Sequence, residues 1–313
     1  MALPRKLSAS IFLFSAGCAW LLSGWPAQGA EPVPGIGPAG KVQRLHTGFG
    51  FTEGPADDGH GNLYFSDIPN ARIHKLDAHG KLSVFTNQSR HANGLMFNQA
   101  GELVVCEMDG QLAVWNVETK TRRVLVDGYQ GVRFNAPNDL VIDRTGGVYF
   151  TDPHFRAPQP LPQGKTCVYY VSPAGNVTRL VDDLPAPNGV ILSPDEQTLY
   201  VFPSGQPVMR AYPVREPGKL GPGRDFCTLK LAGRAGLRGA DGSTVDVDGN
   251  LYLATQLGVQ VFNSQGEALG ILEFPEQPAN LTFGGPNRTT LFVTARTSLY
   301  AVSMFIRGPR EGR

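Results

Sequence analysis

A four-part pattern recurs six times along this chain: a residue with a side-chain oxygen, a short apolar run, a turn of Gly, Asp or Asn, and a second apolar run. The central residues of the second runs lie 40 to 52 positions apart. A repeat of roughly 40 to 50 residues with a hairpin turn in each copy is typical of β-propellers, whose blades are four-stranded antiparallel sheets. The six copies therefore predict an all-β fold, a six-bladed β-propeller. The second runs are Leu63-Tyr64-Phe65, Leu103-Val104-Val105, Val148-Tyr149-Phe150, Leu199-Tyr200-Val201, Leu251-Tyr252-Leu253 and Leu291-Phe292-Val293.

The two ends of the repeat region predict how the ring closes. Residues 298–302 can form a late strand of the last blade, and residues 42–47 can add its outermost strand. Closure from both ends removes exposed sheet edges. We therefore expect one propeller domain over residues 41–305, followed by a C-terminal tail at 306–313.

The composition agrees with many short strands and narrows the range of partners. The 313 residues include 38 Gly and 25 Pro, and no extended stretch has apolar residues at helical spacing. The formal net charge is +1 and Lys and Arg form no long run, which argues against a nucleic-acid partner. We expect a monomer that acts on a small molecule.

The first thirty residues have the features of a secretory signal peptide. Arg5 and Lys6 precede an apolar core at 11–22, and small residues at 27–30 provide a cleavage point. The apolar run is shorter than the roughly 20 residues that a bilayer requires. We therefore predict a signal peptide at 1–30 and a secreted or periplasmic protein without a membrane span after cleavage.

The cysteines suggest no disulfide framework. Cys18 lies in the leader, where a lipoprotein anchor is a weaker alternative. Cys106, Cys167 and Cys227 remain after cleavage, an odd number whose spacing fits no zinc motif. We expect buried free thiols. The Gly-rich segment that follows the leader, residues 31–40, is interpreted as a linker.

The first residue of each repeat carries a side-chain oxygen, 11 or 12 positions before the centre of the second apolar run. Equivalent positions on the inner strands of a propeller are related by rotation about the central channel. These residues are therefore expected to form one ring of oxygen atoms. They are Glu53, Asn93, Asn138, Asn188, Asp241 and Asn280.

Turn formation is the alternative explanation for this ring, because Asn and Asp before Gly are common turn residues. It explains single copies, but neither Glu53 nor an oxygen in all six positions. Two carboxylates and several amides in one channel would repel each other or lack partners without a cation between them. Oxygen ligands without Cys or His favour Ca²⁺, with Mg²⁺, Mn²⁺ or Zn²⁺ as alternatives.

The motifs, taken in order, resemble the gluconolactonase family, which includes senescence marker protein 30, also called regucalcin. The resemblance covers about residues 41–305, and segments 275–281 and 294–300 are similar to the ending of the bacterial members. The motifs are Thr52-Glu53-Gly54-Pro55, Ala136-Pro137-Asn138-Asp139-Leu140, Phe150-Thr151-Asp152-Pro153, Pro187-Asn188-Gly189-Val190 and Ala240-Asp241-Gly242.

This resemblance implies a metal-dependent hydrolysis of a sugar lactone in the channel. The implied metal ligands are Glu53, Asn138, Asn188 and Asp241. Asn93 and Asn280 would then face the cavity and contact metal-bound water or substrate. Asp241 would also orient or deprotonate the attacking water, or serve only as a ligand.

Two residues outside the ring are further candidates for substrate binding. Arg133 lies near the third ring position, Asn138. The best-known animal members of the family have an Arg two residues before the ligand Asn. This chain has Ala136 at that position, so Arg133 does not match it directly. His154 follows the Thr-Asp-Pro motif on a loop that could cap the channel. For both residues, a solvent-exposed loop position is the alternative.

Two other functions stay open at this point. One is a phosphotriesterase or other esterase that uses the same site. The other is a non-catalytic propeller whose metal only stabilises the channel and whose faces bind a protein or carbohydrate. The sequence contains neither a Gly-x-Ser-x-Gly elbow nor a His-Glu-x-x-His motif, which argues against serine-hydrolase and zincin chemistry.

Overall fold

The computed structural model of this chain describes residues 33–233 and 239–309. The predicted signal peptide, residues 1–30 with Cys18, lies outside the described residues, as do residues 310–313 of the predicted tail. Within the two described ranges, no helix has the length and apolar character needed to cross a bilayer.

The described residues form 27 strands, nearly all of them in six antiparallel blades. Blades 1 and 2 contain β2 (Thr52–Asp57), β3 (Leu63–Asp67), β4 (Arg72–Leu76), β5 (Leu82–Thr86), β6 (Ala92–Phe97), β7 (Leu103–Glu107), β8 (Gln111–Asn116) and β9 (Thr121–Val126). A hairpin of β10 (Gly128–Tyr129) and β11 (Val132–Arg133) precedes blade 3, which contains β12 (Leu140–Ile142), β13 (Val148–Asp152), β14 (Cys167–Val171) and β15 (Val177–Val181).

The second half of the ring follows the same plan. Blade 4 contains β16 (Pro187–Leu192), β17 (Thr198–Pro203), β18 (Val208–Glu216), β19 (Lys219–Leu220) and β20 (Arg224–Thr228). Blade 5 contains β21 (Ser243–Val245), β22 (Leu251–Thr255), β23 (Gly258–Phe262) and β24 (Ala268–Leu272). Blade 6 contains β25 (Pro278–Gly284), β26 (Thr290–Ala295), β27 (Ser298–Ser303) and β1 (Gln43–Thr47), with a short 3₁₀ turn at Pro286–Arg288.

The first strand of the chain closes the ring. β1 pairs antiparallel with β27, so that Thr47 lies opposite Ser298 and Gln43 lies opposite Ala301. The inner strands β2, β6, β12, β16, β21 and β25 contact one another in a closed circuit. The predicted all-β, six-bladed β-propeller is therefore confirmed.

Polar side chains close the turns between the inner and second strands. Oδ1 of Asp58 accepts hydrogen bonds from the backbone N–H groups of His60, at 2.8 Å, and Asn62, at 3.0 Å. Asp246 repeats this arrangement in blade 5. Asp and Asn suit such turns because one side-chain oxygen satisfies two backbone donors. Local chemistry thus sets each hairpin and the length of each inner strand.

Aromatic side chains fill the space between and within blades. Phe150 is fully buried, with its ring centroid 5.4 Å from that of Tyr169 and 5.0 Å from that of Phe134. Burying a side chain of this size contributes about 1.5–3 kcal/mol. This packing joins the second and third strands of blade 3 to the segment that precedes the blade.

The described part of the segment interpreted as a linker packs on the propeller. Val33 and Ile36 are buried in the same apolar cluster as Met304, next to β27. The backbone N–H of Ala39 also donates to the carbonyl of Ser303, at 2.7 Å. This segment therefore covers the edge of blade 6.

The three cysteines of the described residues are buried and free, as predicted. Burial raises the pKa of Cys227 to about 12 and raises that of Cys106 well above its ordinary value. Thiols of this kind are unreactive at neutral pH.

Candidate active site in the central channel

The six predicted ring residues all lie within two residues of the start of an inner strand, at the same end of the channel. Five of them are buried and Asp241 is half-buried. Such burial of polar side chains requires partners or a ligand. The residues are Glu53, Asn93, Asn138, Asn188, Asp241 and Asn280.

The backbone carbonyls of ring residues accept hydrogen bonds from the neighbouring blade. A backbone carbonyl that accepts such a hydrogen bond fixes the start of its strand. The side chain of the same residue takes no part in that bond and remains available for other contacts. The ring is thus positioned by hydrogen bonds between blades, two from backbone N–H groups and two from side-chain hydroxyls. These contacts run from Ser66 Oγ to Asn93 O at 2.9 Å, from Gly94 N to Asn138 O at 2.7 Å, from Thr151 Oγ1 to Asn188 O at 2.7 Å and from Gly189 N to Asp241 O at 3.1 Å.

Three carboxylates converge in this end of the channel. Burial raises the pKa of Glu53 well above its ordinary value, and the negative charges of Asp241 and Asp139 raise it further. Burial also raises the pKa of Asp139 to about 7, with a contribution from the charge of Asp241. Groups that influence each other in this way are close together in a region of low dielectric constant. Glu53 and Asp241 therefore lie at the same end of the channel, together with Asp139.

Asp139 is the functional candidate that the sequence analysis missed. A Cβ on Gly94 would lie 2.7 Å from Oδ1 of Asp139, so the carboxylate occupies space that only Gly leaves open. A signal for it exists in the sequence. The position after the ring residue is Gly in four of the six repeats, and the third repeat has an acidic residue there. The four glycines are Gly54, Gly94, Gly189 and Gly242.

Two ring amides contact these carboxylates. Nδ2 of Asn188 donates to Oδ1 of Asp241 at 2.7 Å and to Oγ of Ser204 at 2.9 Å. Burial raises the pKa of Asp241 to about 7, and the hydrogen bond from Asn188 lowers it. The Asn280 amide lies close enough to Glu53 to lower the pKa of that carboxyl group.

The remaining two ring residues are buried beside this group. Nδ2 of Asn93 lies 3.9 Å from Sδ of Met108, which is a weak acceptor. The position of Asn138 is set by a backbone hydrogen bond, in which its N–H donates to the carbonyl of Thr151 at 2.9 Å. Asn138 directly precedes Asp139, so both side chains start at the same point on the channel wall.

The two substrate-binding candidates outside the ring have other contacts. Nε of Arg133 donates to the carbonyl of Phe134 at 3.1 Å, and Nη2 donates to that of Asn135 at 3.3 Å. The guanidinium group therefore supports its own loop. His154 is exposed and contacts the ring of Phe155, with centroids 4.8 Å apart. Arg133 lies in the hairpin before blade 3, and His154 lies in the loop between β13 and β14 of that blade.

An apolar wall borders the ring on the side of blades 1 to 3. Ile68, Met108 and Ala136 are buried there, and Phe51 and Phe155 pack against them. Apolar side chains at the mouth limit the access of water to the carboxylates. Low access to water strengthens electrostatic interactions inside the site.

A separate cavity of about 1290 Å³ opens at the other end of the inner strands. Its walls come from hairpin turns, including those at Asp58, Asp77 and Asn98, and contain none of the ring residues. The convergent carboxylates therefore lie outside this cavity.

The ring residues suit a divalent cation. The charge of Asp241 disfavours the ionisation of Glu53 and of Asp139, and a cation among the three groups would oppose that effect. Within the described ranges, no three His, Cys, Asp or Glu side chains are spaced to hold a metal ion by themselves. An ion here would therefore also need the amide oxygens of Asn138 and Asn188, which is a donor set typical of hard cations.

Comparisons with known proteins identify the family of this chain. Residues 51–297 match the model of the SMP-30/Gluconolactonase/LRE-like region. The chain is 33% identical over 287 residues to a gluconolactonase of Zymomonas mobilis, covering 80% of this chain and 78% of that protein. It is 28% identical over 239 residues to Lactonase drp35 of Staphylococcus aureus, covering 71% and 69% respectively.

Solved structures show the same fold. A gluconolactonase from Xanthomonas campestris is 31% identical, with a TM-score of 0.77 over 84% of this chain and 89% of that chain. A calcium-binding protein, regucalcin, from Agrobacterium tumefaciens is 23% identical, with a TM-score of 0.74 over 86% and 95%. Because the family model matches residues 51–297 and the Zymomonas gluconolactonase is 33% identical over 80% of this chain, the chain belongs to the SMP-30/gluconolactonase family.

Proposed function

We propose that this chain hydrolyses a sugar lactone at the ring end of its central channel, with the help of a divalent cation. The observation that carries the proposal is the convergence of Glu53, Asp139 and Asp241 with ring amides in a buried site. Relatives described as gluconolactonase and lactonase support the reaction class. The regucalcin structure, described as calcium-binding, supports Ca²⁺ as the first candidate for the ion.

Glu53, Asn138, Asn188 and Asp241 would hold the ion. A bound divalent cation supplies Lewis-acid chemistry, which polarises the ester carbonyl and stabilises negative charge on its oxygen. Asn188 fixes the orientation of Asp241 through its 2.7 Å hydrogen bond. The buried Ser204 hydroxyl accepts from the same amide and so fixes Asn188 in turn.

The reaction adds water across the ring ester bond. A carboxylate takes a proton from the attacking water, the bond between the carbonyl carbon and the ring oxygen breaks, and the ring oxygen leaves with a proton as a hydroxyl group. The product is an open hydroxy acid. In this proposal Asp241 and Asp139 are the candidates that orient the water, and the burial that raises both pKa values to about 7 supports this role.

A substrate panel tests the proposal. Purified protein is assayed for acid release from δ-gluconolactone, an aromatic lactone and a phosphotriester, with chelator and after addition of Ca²⁺, Mg²⁺, Mn²⁺ or Zn²⁺. We expect lactone hydrolysis that the chelator abolishes and a metal restores. Absence of lactone turnover with every metal would overturn the proposal, and metal-induced stabilisation without turnover would identify a structural ion.

A further inference from the structure

Arg296 lies at the mouth of the channel, directly beside a ring residue. It occupies the hairpin between β26 and β27, and its carbonyl accepts hydrogen bonds from the N–H of Thr52, at 2.8 Å, and from Oγ1 of Thr52, at 3.3 Å. Thr52 directly precedes Glu53. The junction between blades 6 and 1 thus sets the position of Arg296 relative to the carboxylates.

Two neighbours hold the side chain of Arg296 at this position. Nη2 donates to Oε1 of Gln277 at 2.7 Å, and the guanidinium carbon lies 5.7 Å from the centre of the Phe51 ring. Gln277 leads into β25, three residues before Asn280. Both supporting side chains therefore belong to segments that carry ring residues.

The guanidinium group is supported but still accessible. Arg296 is exposed, and among the described residues it forms no ion pair within 4.0 Å. Its backbone nevertheless keeps it beside the ring, because its carbonyl is hydrogen-bonded to Thr52, the residue before Glu53. A guanidinium group has five N–H donors, so several of them are available to a ligand at the mouth.

The backbone of Arg296 shows that this placement has an energetic cost. Its φ is +46°, a left-handed conformation in a two-residue hairpin where Gly or Asn is favoured. Such a conformation is unfavourable for a non-Gly residue, because its Cβ lies too close to the following carbonyl oxygen. Residues kept in unfavourable backbone conformations are frequent at binding sites.

We propose that Arg296 is a substrate-binding residue that recognises oxygen atoms on the lactone away from its ester group. The guanidinium fork binds hydroxyl or carboxylate oxygens in that part of the substrate and so orients the ester over the ring. The inference rests on the proposed function and deepens it. It predicts oxygen-rich lactones, of the aldonolactone or aldarolactone class, as substrates in preference to unsubstituted ones.

Kinetics of Arg296→Gln on three lactones test this inference. We expect kcat/KM to fall at least tenfold for δ-gluconolactone and for a carboxylate-bearing glucarolactone, mainly through KM, and to change less than twofold for unsubstituted δ-valerolactone. A larger fall for glucarolactone identifies a carboxylate as the preferred group, and equal falls identify hydroxyl groups. Equal losses on all three substrates, or none, would overturn the inference.

Two controls separate binding from stability. Arg215→Gln removes one positive charge from an exposed position on the third strand of blade 4 and should leave all three rates unchanged. Arg296→Lys keeps the charge without the fork and should restore part of the loss on the oxygen-rich lactones. A thermal midpoint for Arg296→Gln that equals the wild-type value excludes a folding effect.

A binding measurement distinguishes failure of this inference from failure of the proposed function. Gluconate, the open acid, is titrated calorimetrically into Ca²⁺-loaded wild-type protein and Arg296→Gln. Weaker binding to the variant supports the inference even if no lactone is hydrolysed. Equal binding to both proteins contradicts it even if the wild type is an active lactonase.

Discussion

Nδ2 of Asn188 and Oδ1 of Asp241 are joined by a 2.7 Å hydrogen bond across the junction of blades 4 and 5. The backbones of the same strands are joined as well, since Gly189 N donates to the carbonyl of Asp241 at 3.1 Å. A carboxylate that is fixed at both its backbone and its side chain has little freedom to reorient. The geometry of the site is therefore built into the contact between two blades.

Asp241→Asn tests the role of this carboxylate. The substitution keeps the size of the side chain but removes its charge and its ability to accept a proton, so we expect kcat for lactone hydrolysis to fall at least ~100-fold. Steady-state kinetics and metal titration measure the two effects. Asp109→Asn, at an exposed residue that pairs with His91, is the matched control. Full activity with unchanged metal affinity would contradict both the base role and the ligand role.

Gly94→Ala tests the steric origin of the Asp139 position. The new Cβ would meet Oδ1 of Asp139 at 2.7 Å and the carbonyl of Asn138 at 2.8 Å. We expect a loss of about 1–3 kcal/mol in the free energy of unfolding and a fall in activity. Denaturant unfolding and rate assays check this. Gly40→Ala, where a Cβ meets nothing within 4 Å, should be neutral, and equal behaviour of the two variants would refute the steric argument.

Asp139→Asn should change stability and activity in opposite directions. Burial raises the pKa of Asp139, so its charge opposes folding in metal-free protein at pH 8. Removing the charge should raise the thermal midpoint of the chelated protein by several degrees. It should lower kcat/KM in the presence of metal. A lower midpoint together with unchanged kinetics would exclude Asp139 from the site.

We expect Asp152, a buried residue outside the ring, to make the stability of the protein depend on pH. Burial raises its pKa to about 7, although the N–H groups of Asn135 and Ala136 donate to it. The folded protein therefore binds this proton more tightly than the unfolded chain, whose pKa is near the ordinary value of 3.8. The contribution of this group is greatest below pH ~4 and is lost as the pH rises through about 7.

Denaturant unfolding at pH 5 and pH 8 measures this dependence. The unfolding free energy of the wild type, minus that of Asp152→Asn, should be larger at pH 5 than at pH 8. The reason is that only the wild type has the carboxyl group that titrates. A difference that does not vary with pH would show that Asp152 keeps an ordinary pKa.

Metal removal should destabilise the protein through Glu53. A cation that binds only the folded state stabilises it by about 2.7 kcal/mol at 100 times its dissociation constant. We expect Ca²⁺ to raise the thermal midpoint of chelated wild-type protein at pH 8. Glu53→Gln should lose most of this shift, whereas Glu118→Gln, at an exposed turn between β8 and β9, should retain it. Equal shifts in all three proteins would place the ion elsewhere.

The sequence alone determined the blades and most of the ring. Hairpin turns such as the one at Asp58 depend on contacts between residues two to four positions apart, so their spacing can be counted along the chain. Glu53 and Asp241 could be placed in one channel because the rotational symmetry of a propeller converts equal sequence positions into neighbouring spatial positions. The export signal at residues 1–30 and the monomeric state remain predictions.

Only the tertiary structure decided which other side chains reach the site. Asp139 enters the channel because Gly94 of the preceding blade leaves space for it, and Arg296 is held by Gln277 and Phe51. Arg133 instead turns to the carbonyls of its own loop. The direction of a side chain depends on how closely the neighbouring blade approaches. That distance is set by packing between residues far apart in the chain, which repeat spacing does not encode.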